Sequence, residues 1–162
     1  MRKEMKIVID GEEQNLTKAS IDDRATGWYK ITSQQWHSTV HLFVGGIEDL
    51  VVSGRQRFKD DAEMLSVVDR FADDQNDMAH AAVRISDGNN FIIRIDNYRP
   101  CLMDDILTLS HETLHAAQIL LYNIGAEVNP AGSETLAYTH QFILGRLISE
   151  ILKGDCNERK GC

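Results

Sequence analysis

A long amphipathic stretch between Leu107 and Ile124 contains the run His111-Glu112-Thr113-Leu114-His115. Residues four apart on an α-helix differ by about 40° around its axis and by one turn along it, so the two imidazoles face the same way. Glu112 points about 80° away from their mean direction. The run therefore predicts a helix that carries two nitrogen ligands on one face and a carboxylate beside them.

The residues around this run repeat at the helical spacings of three and four. One stripe is mainly apolar, and we expect it to face the core; it contains Leu107, Ser110, Leu114, Ala117, Leu121 and Ile124. The neighbouring stripe is polar and contains His111, His115, Gln118 and Tyr122. This pattern favours a metal site built on a core helix over a solvent-facing helix that carries two histidines by chance.

A second helix is predicted after a short connection. Gly125 is the expected left-handed end of the first helix, Pro130 and Gly132 mark the link, and Ser133 can cap the second helix. The apolar residues of this helix recur at helical spacing: Leu136, Ala137, Phe142, Ile143, Leu147, Ile148 and Ile151. A short link makes the two helices neighbours, so the first turn of the second helix can reach the histidine face.

Glu134, in that first turn, is the candidate third metal ligand. The alternative is a glutamate that is favoured there by the helix dipole alone. His140 is a rival ligand about a turn and a half further on, about 120° around the helix, so the two are not expected to bind one ion.

Two histidines and one glutamate leave one coordination position of zinc open for water, which is typical of a catalytic site. Glu112 could then take a proton from that water and pass it to a leaving amine. Tyr138 follows Glu134 by one turn on the same face. Its hydroxyl is a candidate hydrogen-bond donor to a ligand or to a developing oxyanion, and the alternative is a tyrosine that anchors two packed helices.

These residues carry a resemblance to a known family. His111-Glu112-x-x-His115, with Glu134 on the next helix, resembles the zincin metallopeptidases in the subgroup whose third zinc ligand is a glutamate. Over about 40 residues the chain is also similar to small HExxH proteins of bacteriophages and prophages, in which a β-hairpin precedes the active helix and an E-x-x-A-Y segment follows it, here Glu134 to Tyr138. The resemblance implies a zinc-dependent peptidase fold. It supplies no substrate, and this chain has no room for the second lobe of the larger zincins.

Length and composition favour a single domain over residues 1–162, and the resemblance implies that it is a zincin-like domain of α+β class. The chain is 43% hydrophobic, which is enough for a proper core, and its net charge of −8 argues against nonspecific nucleic-acid binding. No signal peptide or membrane span is recognisable, so a cytoplasmic protein is expected. Residues 1–27 are polar and could be partly mobile, and residues 154–162 form a polar tail that we expect to be frayed.

The three cysteines do not form an even disulfide framework, so reduced thiols are expected for Cys101, Cys156 and Cys162. A second metal site in the tail would need two more ligands, which the sequence does not offer.

Upstream of the motif the sequence predicts a small antiparallel or mixed sheet. Strands are expected at 5–10 and 36–45, helices at 47–54 and 60–73, and a hairpin with strands 81–86 and 91–96 joined by residues 87–90. The hairpin precedes the metal helix and can form the rim of a cleft, where an extended peptide adds as another strand. Phe91, Ile93 and Ile95, or the partner strand, are the candidate edge for this substrate.

No catalytic or metal-binding role is predicted for His37, His41 and His80. His37 and His41 would lie about 13 Å apart on one face of a strand, too far to chelate one ion, so we expect ordinary surface or half-buried side chains. His80 may simply begin the hairpin.

Two other classes of function were weighed. Glu112-x-x-His115 is also half of a di-iron site in a four-helix bundle, but the sequence contains no second Glu-x-x-His. The more serious alternative is a zinc-binding phage or mobile-element assembly or docking protein without turnover, because a motif alone does not establish catalysis. Substrate, cleavage specificity and oligomeric state are not predicted.

Overall fold

The computed structural model describes residues 5–9, 12–16, 27–73, 81–99, 102–126 and 133–158. It has six strands and four helices in these ranges. The strands are β1 Met5–Ile9, β2 Glu12–Leu16, β3 Gly27–Ser33, β4 Ser38–Val44, β5 Ala81–Ile85 and β6 Phe91–Ile95. The helices are α1 Ile47–Arg57, α2 Ala62–Asp73, α3 Met103–Asn123 and α4 Ser133–Glu158. The α+β class is confirmed.

Four of the strands form one mixed sheet in the order β3-β4-β6-β5, and β1 and β2 form a separate antiparallel pair. The outer pairs β3–β4 and β5–β6 are antiparallel, whereas the central pair β4–β6 is parallel, with Val40 opposite Phe91 and Val44 opposite Ile95. Parallel neighbours cannot be joined by a tight turn. The chain therefore passes through α1, α2 and β5 before β6 returns beside β4.

The side chains of the central strands β4 and β6 alternate between two hydrophobic cores, one on each face of the sheet. Phe91, Ile93 and Ile95 of β6 belong to the core that includes residues of α3 and α4, whereas Ile92 belongs to the core that includes residues of α1 and α2. Successive side chains of a strand point to opposite faces. The sheet is thus covered by one helix pair on each face, and all five residues of β6 are buried.

The contact between α1 and α2 depends on a glycine. A Cβ atom on Gly54 would lie 2.9 Å from Cγ2 of Val68, so the two helices approach more closely than another residue would permit. Val68 is fully buried together with Val67 on the inner face of α2.

Most predicted elements upstream of the motif are confirmed, with small shifts at their ends. The hairpin pairs β5 with β6 around residues 87–90, and α1 and α2 lie where helices were expected. Strands β2 and β3 were not predicted. The signal for β3 was present in Trp28, Tyr29 and Ile31, which are aromatic or β-branched residues of high strand propensity.

The buried face of α3 differs from the predicted one. Leu107 is 57% exposed, and the buried residues are Leu109, Glu112, Thr113, Ala116, Ala117, Leu120 and Leu121. The predicted stripe was derived from residue spacing alone, whereas the buried face is determined by the packing of α3 against both the sheet and α4. The buried arc is consequently wider and is rotated towards Thr113, which leaves the histidine stripe on the surface.

The end of the chain also departs from expectation. Helix α4 continues to Glu158, so the first residues of the predicted frayed tail are helical. Several predictions concern residues outside the described ones: those for residues 1–4, 10–11, 17–26 and 159–162, for the linker residues Pro130 and Gly132, for His80 and for the side chains of the three cysteines. No described helix has the length and apolar character needed to cross a membrane.

His41 was expected at or near the surface, but it is buried in the core beneath α1, with 7% of its surface exposed. Its ring packs edge-on against the rings of Phe58 and Trp28, with centroid distances of 4.9 Å and 6.4 Å. Burial, assisted by the positive charges of Arg57 and Lys30 and opposed by Asp61, lowers the pKa of His41 to about 4. His37 lies exposed in the preceding turn with a φ of 47°.

We predict that His41 makes the fold acid-sensitive. The pKa of His41 is lower in the folded chain than its ordinary value of 6.5, because the folded chain disfavours the protonated imidazole. The free energy of unfolding is therefore unaffected by His41 above pH 6.5 and decreases as the pH falls towards 4. This decrease reaches about 3 kcal/mol. Chemical denaturation of the His41→Phe variant between pH 7 and 4 should show a smaller loss than wild type, with His37→Gln as the control. Equal losses in wild type and His41→Phe would contradict the prediction.

Candidate functional site

Helix α3 is held at both ends, which fixes the position of the HExxH run. At its start the Asp105 carboxylate accepts hydrogen bonds from the backbone amide of Arg99 at 2.9 Å and from its Nε at 3.3 Å. At its end the Asn123 side-chain amide donates to Oδ1 of Asn89 in the hairpin loop, at 2.9 Å. Gly125 has a φ of 73°, which confirms the predicted left-handed end of the helix.

The His111 and His115 imidazoles lie together on the exposed face of α3. Their Nε2 atoms are 3.0 Å apart, and the rings are nearly perpendicular with centroids 4.6 Å apart. Two imidazole nitrogens that bind one tetrahedral zinc ion at about 2.05 Å are separated by about 3.3 Å. The pair therefore has nearly the spacing required of two ligands to one ion.

Glu112 lies on the inner side of the same turn and is only 7% exposed. Burial raises the pKa of its carboxyl group, while the nearby His111, His115 and Arg84 act in the opposite direction. Arg84 belongs to β5, so the edge of the sheet next to α3 contributes charge to the site. Arg84 was not among the predicted site residues, although a cation in the otherwise apolar strand AAVRI is an unusual feature of the sequence.

The third ligand is not brought to the pair. Glu134 is exposed in the first turn of α4. Within the ranges that the structure describes, no three His, Cys, Asp or Glu side chains lie together in a way that could hold a metal ion. Tyr138 is also on the surface, with 69% exposed, so it does not anchor the two helices as the alternative interpretation expected.

His140 connects α4 to the histidine turn of α3. Its Nε2 lies 3.0 Å from the backbone carbonyl oxygen of Ser110 and 3.3 Å from the Ser110 hydroxyl. Because a carbonyl oxygen can only accept, Nε2 carries the proton and donates it. Only Nδ1 of His140 retains a lone pair for a metal, so the rival ligand is engaged instead in holding α4 beside the residue that precedes His111.

The predicted peptide-binding edge needs correction. Phe91, Ile93 and Ile95 are completely buried, and β6 lies between β4 and β5 inside the sheet. Their side chains fill the core beneath α3 and α4, because a strand covered by helices on both faces offers its side chains no solvent. These three residues therefore cannot line an exposed rim.

The partner strand β5 lies at the end of the described sheet, but its outer carbonyl groups are engaged. The Ser86 amide donates to the Asn90 carbonyl, and the alternation of an antiparallel pair then directs the carbonyls of Val83 and Ile85 away from β6. Arg84 Nη1 donates to the Val83 oxygen at 2.9 Å, and Arg70 donates to the Ile85 oxygen. A peptide that added to this edge would have to displace two guanidinium groups.

Comparison of the chain with protein-family models, with curated proteins and with solved structures finds no match. The chemistry of the site is therefore inferred from its own residues. These are an exposed imidazole pair at ligand spacing, a buried carboxylate beside it, and two further polar side chains, Glu134 and Tyr138, on the neighbouring helix.

We predict that the hydrogen bond from His140 to Ser110 stabilises the packing of α3 against α4. His140→Leu removes the donor and should lower the free energy of unfolding by about 1 kcal/mol. His140→Gln is the matched control, because the glutamine amide can still donate to the carbonyl. Urea unfolding of both variants measures the difference. The prediction is wrong if Gln and Leu cost the same.

Proposed function

We propose that the chain is a zinc-dependent hydrolase of peptide bonds with a zincin-like arrangement of its active helix. The observation that carries the proposal is the pair of exposed imidazoles with Nε2 atoms 3.0 Å apart, next to the buried carboxylate of Glu112. Histidines four apart with an adjacent glutamate supply two ligands and a base from a single helical turn. The resemblance to zincins noted in the sequence points in the same direction.

The donor set fits zinc, which accepts imidazole nitrogen and carboxylate oxygen. His111 and His115 would hold the ion, and Glu134 is the proposed third ligand because it is exposed, acidic and located on the helix that packs against α3. Among the described residues Glu134 does not form a metal-binding group with the pair, so binding would require its side chain or the first turn of α4 to move. Zinc bound there would supply a water molecule of near-neutral pKa and would polarise a substrate carbonyl.

Glu112 is assigned as the general base. Glu112 lies on the same helical turn as His111 and His115 but points about 80° away from their mean direction. It can therefore accept a proton without competing with them as a metal ligand. Burial favours its protonated form, which suits a carboxylate that takes up a proton and then donates it to the leaving amine. The Tyr138 hydroxyl is proposed to donate a hydrogen bond to the developing oxyanion, from its exposed position on α4.

Helix α3 is fastened at Arg99, at Asn89 and through His140, so the groups that it carries have fixed directions. Fixed directions favour catalysis, because donors and bases that are already oriented need no reorganisation during the reaction. A zinc-binding docking or assembly protein without turnover remains the second hypothesis, and hydrolysis distinguishes the two.

We predict that the purified chain binds about one zinc ion. His111→Ala or His115→Ala should reduce zinc affinity by at least about tenfold, and Glu134→Gln should reduce it by a similar factor, since each removes one of three protein ligands. Calorimetric titration with zinc measures these affinities. His37→Ala and Glu150→Gln are matched controls, because both remove a side chain of the same type outside the site. Binding that is insensitive to the His111 and His115 substitutions would refute the site, and binding insensitive to Glu134→Gln would move the third ligand elsewhere.

We predict that Glu112→Gln abolishes hydrolysis but retains zinc. The amide cannot accept the proton, yet it is nearly isosteric and takes no part in holding the ion. Cleavage of a mixed peptide library, followed by mass spectrometry, measures turnover, and metal analysis of the same sample measures retention. Wild type that binds zinc and cleaves no peptide would support the docking hypothesis instead.

A further inference from the structure

Most of the large apolar side chains that are exposed among the described residues lie on or directly beside α3 and α4. Seven large apolar residues are exposed, and six of them lie on or directly beside α3 and α4: Leu102, Met103, Leu107, Tyr122, Ile124 and Tyr138. The seventh, Val52, lies on α1. Single exposed apolar residues are ordinary, but their concentration on one side of a protein marks an interaction surface.

Two of these residues lie on the same face of α3 as the imidazole pair. At about 100° per residue, Leu107, His111, His115 and Tyr122 fall within an arc of about 80°. The structure exposes 57% of Leu107 and 79% of Tyr122. The distance along the helix from Leu107 to Tyr122 is about 22 Å, with the imidazoles between them. We call these four residues the α3 stripe.

Apart from the histidines, the exposed charged side chains on α3 and on the first two turns of α4 are carboxylates, Asp104 and Glu134. Of the other described carboxylates on α3, Asp105 is paired with Arg99 and Glu112 is buried. Arg84 approaches from β5, but its guanidinium group also contacts the Val83 carbonyl and the Phe71 ring. A ligand that covers this surface would meet apolar side chains and negative charge.

We propose that the α3 stripe binds a basic polypeptide segment with large apolar side chains, and that this segment is the substrate. The inference rests on the proposed peptidase function and adds the substrate class. An extended segment of about seven residues spans 22 Å. Its apolar side chains contact Leu107 and Tyr122 on either side of the imidazoles, and its lysine or arginine side chains lie near the exposed carboxylates. Binding occurs through side chains, which agrees with an edge of β5 whose carbonyls are already engaged.

The test uses the full chain with the Glu112→Gln substitution, so that peptides are bound and not cut. The probe is a fluorescent nine-residue peptide of alternating leucine and lysine, compared with one that has glutamate for lysine and one that has serine for leucine. Fluorescence anisotropy at low salt should give at least about tenfold weaker binding for both altered peptides, since each lost contact of this size is worth about one factor of ten.

The same peptide then distinguishes binding at the α3 stripe from nonspecific hydrophobic binding elsewhere on the protein. Leu107→Ser and Tyr122→Ser should each weaken binding of the leucine–lysine peptide about five- to tenfold, whereas Val52→Ser, an equally exposed apolar residue on α1, should not change it. Equal weakening by Val52→Ser, or equally tight binding of the glutamate peptide, overturns the proposal. Light scattering tests whether the wild type self-associates. Self-association that is lost in Leu107→Ser also overturns the proposal, because a second copy of the chain would then cover the α3 stripe.

Failure of the proposed function is distinguishable from failure of this inference. The anisotropy measurement requires no turnover and is repeated in the presence of a zinc chelator. Selective binding of the leucine–lysine peptide by a chain that never cleaves supports the surface and refutes the peptidase. Zinc-dependent cleavage of peptides without preference for apolar and basic residues supports the peptidase and refutes the surface.

Discussion

The parallel pairing of β4 with β6 is the constraint on which the arrangement of the other elements depends. A parallel pair cannot be closed by a hairpin, so the chain between the two strands must cross over, and here it supplies α1, α2 and the edge strand β5. These helices cover one face of the sheet. The opposite face is left to α3 and α4, whose buried residues share a core with Phe91, Ile93 and Ile95. The helix that carries the histidines is therefore supported by β6, a strand whose five residues are all buried.

The support of α3 from two directions explains the environment of its polar residues. The sheet and α4 bury a wide arc that contains Glu112 and Thr113, and the histidines lie outside this arc, exposed to solvent. A carboxylate inside the arc and two imidazoles outside it lie on one helical turn. Their different exposures follow from their angular positions, which are fixed by the spacing of the motif.

The sequence predicted much of this arrangement, for reasons that can be named. The HExxH spacing placed His111 and His115 on one face, and Gly125 and the hairpin residues 87–90 carry conformational signals that act locally. What the sequence did not predict depends on distant partners. The near-continuous apolar run of β6, which contains Phe91, Ile93 and Ile95, was a signal of burial on both faces. The run does not reveal which strands flank β6, because the order of strands in the sheet is set by distant segments. The burial of His41 also depends on distant residues, because Trp28 of β3 and Phe58 at the end of α1 pack against its ring.

The guanidinium groups of Arg70 and Arg84 at the edge of β5 have a consequence for the behaviour of the protein at high concentration. An unprotected edge strand is a template on which other chains can grow as cross-β aggregates. The carbonyls of Val83 and Ile85 are already occupied, and an incoming strand would also meet positive charge. A chain that exposes several apolar side chains on one helix thus protects the β5 edge of its sheet from fibril growth.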